Sequence, residues 1–294
     1  MAALTIALNA PVSLARKARS LGFIPMVALS IVVVFMLVAA SANFIAPHSP
    51  TETSLPNRLQ PPVWSSEGSA TYILGTDKLG RDLLSRLIFG ARTSLLVAAQ
   101  ALLLGAGVGV VVGMLSGYLG GWVDAILMRL VDVMLALPII LFALLLVVVV
   151  GPDTKNVIVA IGVVLWARFA RVIRGEALSV REQDFVALAK VAGSSNFRII
   201  VRHLLPNVAN TLMVLASLQV GWVIIVEASL SFLGAGVPPP TPAWGSMIAQ
   251  GRDHVTTAWW LSVLPGIATM VVVLAFNLFG DWLRDTLDPK MSQL

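Results

Sequence analysis

The chain has 294 residues, 57 % of them apolar and only 12 % charged, against about 25 % charged in soluble domains, so much of its surface must face lipid. The absence of cysteine excludes disulfides, thiolate metal centres and thiol catalysis, and the three histidines, His48, His203 and His254, stand too far apart for a metal-binding spacing. The net charge of +5 would suit nucleic acid in a soluble protein, but basic residues also gather in the cytoplasmic loops of membrane proteins.

Hydropathy predicts six spans, each near the roughly 20 residues that cross a bilayer core, and therefore an all-α membrane protein. A cytoplasmic segment, 1–22, carries Arg16, Lys17 and Arg19 ahead of a first span from Phe23 to Ile45. A signal peptide is the rival reading, because Ala40-Ser41-Ala42 resembles a cleavage site; the apolar run is longer than a usual signal core and favours an anchored span. A polar extracytoplasmic stretch, 46–92, follows and contains Asp77, Gly80, Arg81 and Asp82. Charged and glycine-rich, its end is expected to be structured and to meet a partner.

Residues 93–284 then read as a five-helix core. The second span, from Leu95 to Leu119, carries Gly105, Gly109, Gly113 and Gly117 four apart, on one helix face. Such a smooth groove suits close helix packing, within the chain or against another subunit. The third span, Ala125 to Val150, contains Pro138, which predicts a kink. Arg129 and Asp132, three apart, can pair on its face. The fourth, fifth and sixth spans run from Val157 to Val172, Val208 to Leu233 and Trp259 to Leu283.

The segment 168–206, which contains the loop 174–206 between spans four and five, carries seven Lys and Arg against three Asp and Glu, which places it with both termini in the cytoplasm, the latter including a tail at 285–294. Ser179 and Glu182 have capping-box spacing, predicting a helix start there. Phe185, Leu188, Ala189 and Ala192 form an apolar face, and Gly193 suits a left-handed stop. Ser194 or Ser195 can cap a second helix that ends before Pro206, with Phe197, Ile200, Val201 and Leu204 on one face. This elbow either docks into a partner groove or packs back on its own spans.

The segment Asp184-Phe185-Val186-Ala187-Leu188-Ala189, then Gly193 and Leu205-Pro206, resembles the EAA loop of ABC importer permeases. Ala187 stands where that family has Glu, Leu188 where it has Ala and His203 where it has Ile. Gly75-Thr76-Asp77 through Arg92, Glu227 through Gly234, Pro238-Pro239, Trp244-Gly245 and the run from Phe276-Asn277 to Leu287-Asp288-Pro289-Lys290 are similar to the dipeptide/oligopeptide/nickel branch, second or C-type permease subunit. The resemblance implies a type I importer fold in a bacterial inner membrane. It also implies a heterodimer with a homologous permease, an extracytoplasmic binding protein and two cytoplasmic ATPase domains holding ATP and Mg. Asp184, Phe185, Ala187, Leu188, Ala189, Gly193, Leu205 and Pro206 are then the ATPase-coupling loop. Peptides are the expected cargo, with nickel chelates, glutathione or sugars as alternatives.

No G-x-x-x-x-G-K-[ST] phosphate loop is present, so ATP is not expected to bind this chain by that route, and no cofactor, metal or nucleic acid is expected on it. Charged residues inside spans usually face a cavity or a partner. Glu227 lies deep in the fifth span with no basic neighbour one turn away, so it is a candidate for the pathway or for bonding a broken helix end. Arg168 lies in or near an apolar run, where the basic loop begins, while Asp281 with Arg284 reads as interfacial. A secondary transporter would show internal repeats and discontinuous coupling-ion helices, and a membrane enzyme would show paired metal ligands or a nucleophile elbow; neither pattern is found.

Overall fold

The computed structural model describes residues 22–287. The basic residues at 16–19, nearly all of the predicted N-terminal segment and the tail from Asp288 onward lie outside them. The described residues form a bundle of helices. These are α1 (Phe23–Ala40), α2 (Ala42–Ile45), α3 (Leu83–Leu119), α4 (Gly121–Ala136), α5 (Ile139–Val150), α6 (Thr154–Arg181), α7 (Asp184–Val191), α8 (Asn196–Phe232), α9 (Trp244–Gly251) and α10 (Trp260–Leu287). Five are long and apolar enough to cross a membrane, and the bent pair α4–α5 passes the same test as a unit, as a broken span or a re-entrant loop.

Several helices outrun their predicted spans. The second begins at Leu83 rather than Leu95, because Asp82 caps it, accepting from the Ser85 N–H at 2.9 Å. The fourth continues past Val172 to Arg181, burying Ile173 and Ala177 against α3 and α8. Hydropathy sees only the apolar part of a helix, whereas packing extends it into polar sequence. The third is broken rather than kinked: Leu137 and Pro138 are both extended, and the two halves meet at 91°. No hydrogen bond carries a helix through two extended residues.

The four-spaced glycines resolve as packing within the chain. A Cβ on Gly109 would lie 2.4 Å from the Phe169 Cβ, and one on Gly113 would lie 2.7 Å from the Ala170 carbonyl oxygen. Gly105 and Gly117 meet Leu165 and Ala177 of the same helix, α6, in the same way. From α6, Gly162 returns the contact against Leu104. The two longest-packed spans therefore touch backbone to backbone over about three turns. Gly113→Leu has no room to rotate away from a backbone oxygen and is expected to cost at least the roughly 1–3 kcal/mol of an overpacked core. Gly107, with nothing within 4 Å of its would-be Cβ, provides the control. Thermal melting of the purified protein in detergent should show a lowered midpoint for Gly113→Leu and none for Gly107→Leu.

Two local expectations are corrected. Asp132 does not pair with Arg129 but with Arg171 of α6. A cation on a neighbouring helix reaches it, and the broken span turns α4 toward α6. Nearby, Asp124 of α4 holds Arg174 through two bonds of 2.5 and 2.6 Å and accepts from Ser116 of α3. Ser179 and Glu182 are not a capping box, since α6 runs through Ser179, and α7 starts after Gln183 without a side-chain cap.

Candidate functional site

The short helix α7 sits where α6 hands over to α8. Its inner face, Val186 and Ala189, is buried in a cluster with Tyr118 and Met114 of α3, Ile173 and Ala177 of α6, and Ile199, Leu204 and Val208 of α8. Lys190 lies over the Tyr118 ring at 5.4 Å, and the Tyr118 hydroxyl donates to Asn196 at 3.0 Å. Arg181 donates to the Tyr118 carbonyl at 3.2 Å. Three spans therefore hold one side of α7.

Its other side is open. Phe185 is 38 %, Leu188 68 % and Val191 87 % exposed, while Asp184 and Ala187 are also exposed. The predicted knob exists, with a different membership: Ala189 faces inward, and Val191 joins Phe185 and Leu188. Their spacing of three was legible in the sequence as a stripe at i, i+3 and i+6. Phe197 beyond the turn adds a further exposed ring. The chain itself leaves this apolar strip uncovered, on a helix already packed on its opposite face.

The turn after α7 follows its sequence signals. Gly193 has φ +75° and its N–H donates to the Lys190 carbonyl, while the Ser194 N–H donates to the Ala189 carbonyl. Ser195 caps the next helix, accepting from the Arg198 N–H at 3.4 Å. That helix does not stop before Pro206. It runs from Asn196 to Phe232 through a π-type turn at Ile200–Leu204, with Leu205 half-buried and Pro206 exposed just beyond it. The wider turn accommodates the N–H that proline lacks. Consequently α7 is joined to a full-length span by a two-turn lever.

At the other end of α3, some 37 residues or about 55 Å away, lies a buried polar network. Asp77 accepts from the Leu79 N–H at 2.8 Å, the Arg81 N–H at 3.0 Å and the Arg81 Nε at 2.6 Å, with Arg86 Nε 3.5 Å off. Arg81 also donates to Gln250 of α9, and Arg86 donates to the Pro50 carbonyl. Asp82 accepts from Ser85 and lies 3.5 Å from His48. The Trp260 indole donates to the Thr76 carbonyl at 3.3 Å and the Trp244 indole to the Leu87 carbonyl at 3.0 Å. Gly80, at φ +74°, presses against Ser54, where a Cβ would lie 1.8 Å from a carbonyl oxygen. Asp77, Arg81 and Asp82 are 3–5 % exposed. A partner contact needs accessible side chains, so their role is corrected: they fasten residues 46–82 to α3, α9 and α10. Long-range partners such as Gln250 gave no signal in the local sequence.

Glu227 is 1 % exposed. It accepts from Ser231 at 2.7 Å, and Ser231 in turn accepts from the Val237 N–H at 3.3 Å. Its side chain points into the chain's own packing and braces the exit turn of α8. Among the described residues no three Asp, Glu or His gather as a metal site.

The described residues thus form a helical bundle with several membrane-crossing lengths, a packed polar cap at one end of α3 and an exposed apolar strip on a short helix near the other, an arrangement suited to a membrane permease. The profile described as "Binding-protein-dependent transport system inner membrane component" matches residues 109–293. A second, "N-terminal TM domain of oligopeptide transport permease C", matches residues 24–62. The chain belongs to the family of inner membrane components of binding-protein-dependent transport systems, the permeases of ABC importers. It is similar to the "Dipeptide transport system permease protein DppC" of Escherichia coli (strain K12), 44 % identical over 91 % of this chain and 89 % of that one. The "Di/tripeptide transport system permease protein DppC" of Pseudomonas aeruginosa (strain UCBPP-PA14) is 41 % identical over 86 % of this chain and 84 % of its own. The "Dipeptide transport system permease protein DppC" of Alkalihalophilus pseudofirmus is 41 % identical over 90 % of this chain and 86 % of its own.

Proposed function

We propose that this chain is one of two permease subunits of a dipeptide or oligopeptide importer and that α7 is where ATP hydrolysis on separate subunits is converted into movement of the spans. The observation that carries the reading is the exposed strip of Phe185, Leu188 and Val191 on a helix whose opposite face is locked to α3, α6 and α8. A force on α7 reaches three spans at once, because Val186 and Ala189 have no slack in a buried cluster. The relatives named for dipeptide transport support the cargo.

In this reading the termini and α7 face the cytoplasm, and residues 46–82 with α9 face outward toward a binding protein. A homologous permease completes the pathway as a heterodimer, and two ATPase domains, holding ATP and Mg, meet α7. The cysteine-free sequence makes the test direct. Asn57→Cys should react with an impermeant thiol reagent in intact cells, and Arg181→Cys should not. Leu188→Cys should form a cross-link to an ATPase subunit through a cysteine placed in its groove, in membranes that take up dipeptide. Labelling of Arg181→Cys from outside would reverse the orientation, and absence of any Leu188 cross-link would remove α7 as the docking point.

A further inference from the structure

Tyr118 is the penultimate residue of α3, and all three segments of the elbow reach it. Arg181, the last residue of α6, donates to the Tyr118 carbonyl at 3.2 Å and to the Gly117 carbonyl at 3.5 Å. From the last turn of α7, the Lys190 ammonium lies over the Tyr118 ring, 5.4 Å from its centroid. The Tyr118 hydroxyl donates at 3.0 Å to Asn196, the first residue of α8. Tyr118 is buried, while Lys190 and Asn196 are exposed. One residue of α3 thus meets the end of α6, the body of α7 and the start of α8.

Tyr118 therefore stands across both joints of α7. Residues 182–183 lead into the helix and residues 192–195 lead out of it. The second joint holds Gly193, at φ +75° with open space around it. A glycine joint has the widest backbone freedom, and a helix that hinges there absorbs a push in the turn. Lys190 stands before that joint and Asn196 after it, and both are held to one buried ring. The apolar cluster around Val186 and Ala189 cannot do this alone, because apolar contact is non-directional and lets helices slide or turn. A hydrogen bond weakens steeply off its axis, and a cation is attracted only over the ring face, so both fix register. We infer that Tyr118 is a positioning residue that braces the elbow, so that a displacement of α7 becomes a displacement of α8 and is not taken up at Gly193. This role presupposes α7 as the docking helix, as read above, and names the side chain that makes its lever stiff.

The test uses the reconstituted complete importer with its own binding protein and dialanine, and reads the ATP hydrolysed per dialanine taken up. A variant that merely leaves less folded protein lowers both rates together and does not move this ratio. Tyr118→Phe removes only the hydroxyl and keeps the buried ring. It is expected to raise the ratio about threefold or more, the effect of one hydrogen bond, while the Leu188→Cys cross-link to the ATPase subunit still forms. Asn196→Leu, at an exposed position, should raise the ratio equally. The two changes together should raise it no further than either alone, as for one shared interaction. Asn196→Asp, which keeps an acceptor for the hydroxyl, should hold the wild-type ratio. An unchanged ratio in Tyr118→Phe, or a double variant whose effects add, would overturn the inference. Absence of the cross-link with Tyr118 intact would instead remove the α7 reading beneath it, and that result comes from a separate assay.

Discussion

Phe185→Ala combined with Leu188→Ala is expected to abolish most of the ATP hydrolysis that loaded binding protein stimulates, and uptake with it, while the chain still inserts and folds. Burying a Phe or Leu side chain contributes about 1.5–3 kcal/mol. Phe185, 38 % exposed, and Leu188, 68 % exposed, have only that part left to bury, so removing both weakens docking by roughly 1.5–3 kcal/mol, about ten- to a hundredfold. Folding should be spared because neither side chain belongs to the buried cluster, whose members on α7 are Val186 and Ala189. The measurement is ATPase activity of the reconstituted complex with and without loaded binding protein, paired with uptake. Gly193→Val tests the same lever differently. No atom crowds that position, so the strain comes from φ +75° alone, about 1–2 kcal/mol for a residue with a Cβ, and it should tilt α7 and give a smaller loss. Full stimulation in the double variant would reduce α7 to a connector.

The second large effect is expected at the polar cap that fastens residues 46–82. Asp77→Ala leaves Arg81 and Arg86 buried side by side, at 5 % and 1 % exposure, without their shared carboxylate. Removing one partner from a buried ion pair costs about 3–5 kcal/mol, because the remaining charge is stranded. Two stranded cations place this variant at the upper end. It also frees the N–H groups of Leu79 and Arg81 that Asp77 caps. The expected result is an outer segment that trypsin cleaves in right-side-out vesicles and a protein that melts well below the wild type. Asp77→Asn, which retains acceptors but not charge, should fall between the two. Wild-type protease resistance in Asp77→Ala would show that the network is dispensable and return these residues to a role in contacting partners.

Much of this protein could be read without coordinates. The helical class and five of the six predicted spans follow from hydropathy alone, since lipid enforces apolar length on each crossing. The Gly193 stop and the Ser195 cap were equally legible, because turn and cap chemistry acts over three or four residues. The family resemblance located the loop whose exposed strip the structure then displays.

What tertiary structure decided was everything that depends on a neighbour distant in sequence. The four-spaced glycines marked a groove, but only the approach of α6 assigned it to packing inside the chain. Asp132 found its cation on another helix, 39 positions away, rather than three residues off. Asp77, Arg81 and Asp82 looked like surface charge and are interior, because Gln250, bonded to Arg81 from 169 residues downstream, and Trp260, bonded to Thr76 from 184, close over them. Local sequence determines helix, turn and span because their bonds close within a few residues. Whether a polar residue is buried, paired or left open depends on which helices pack together, and only the folded chain specifies that.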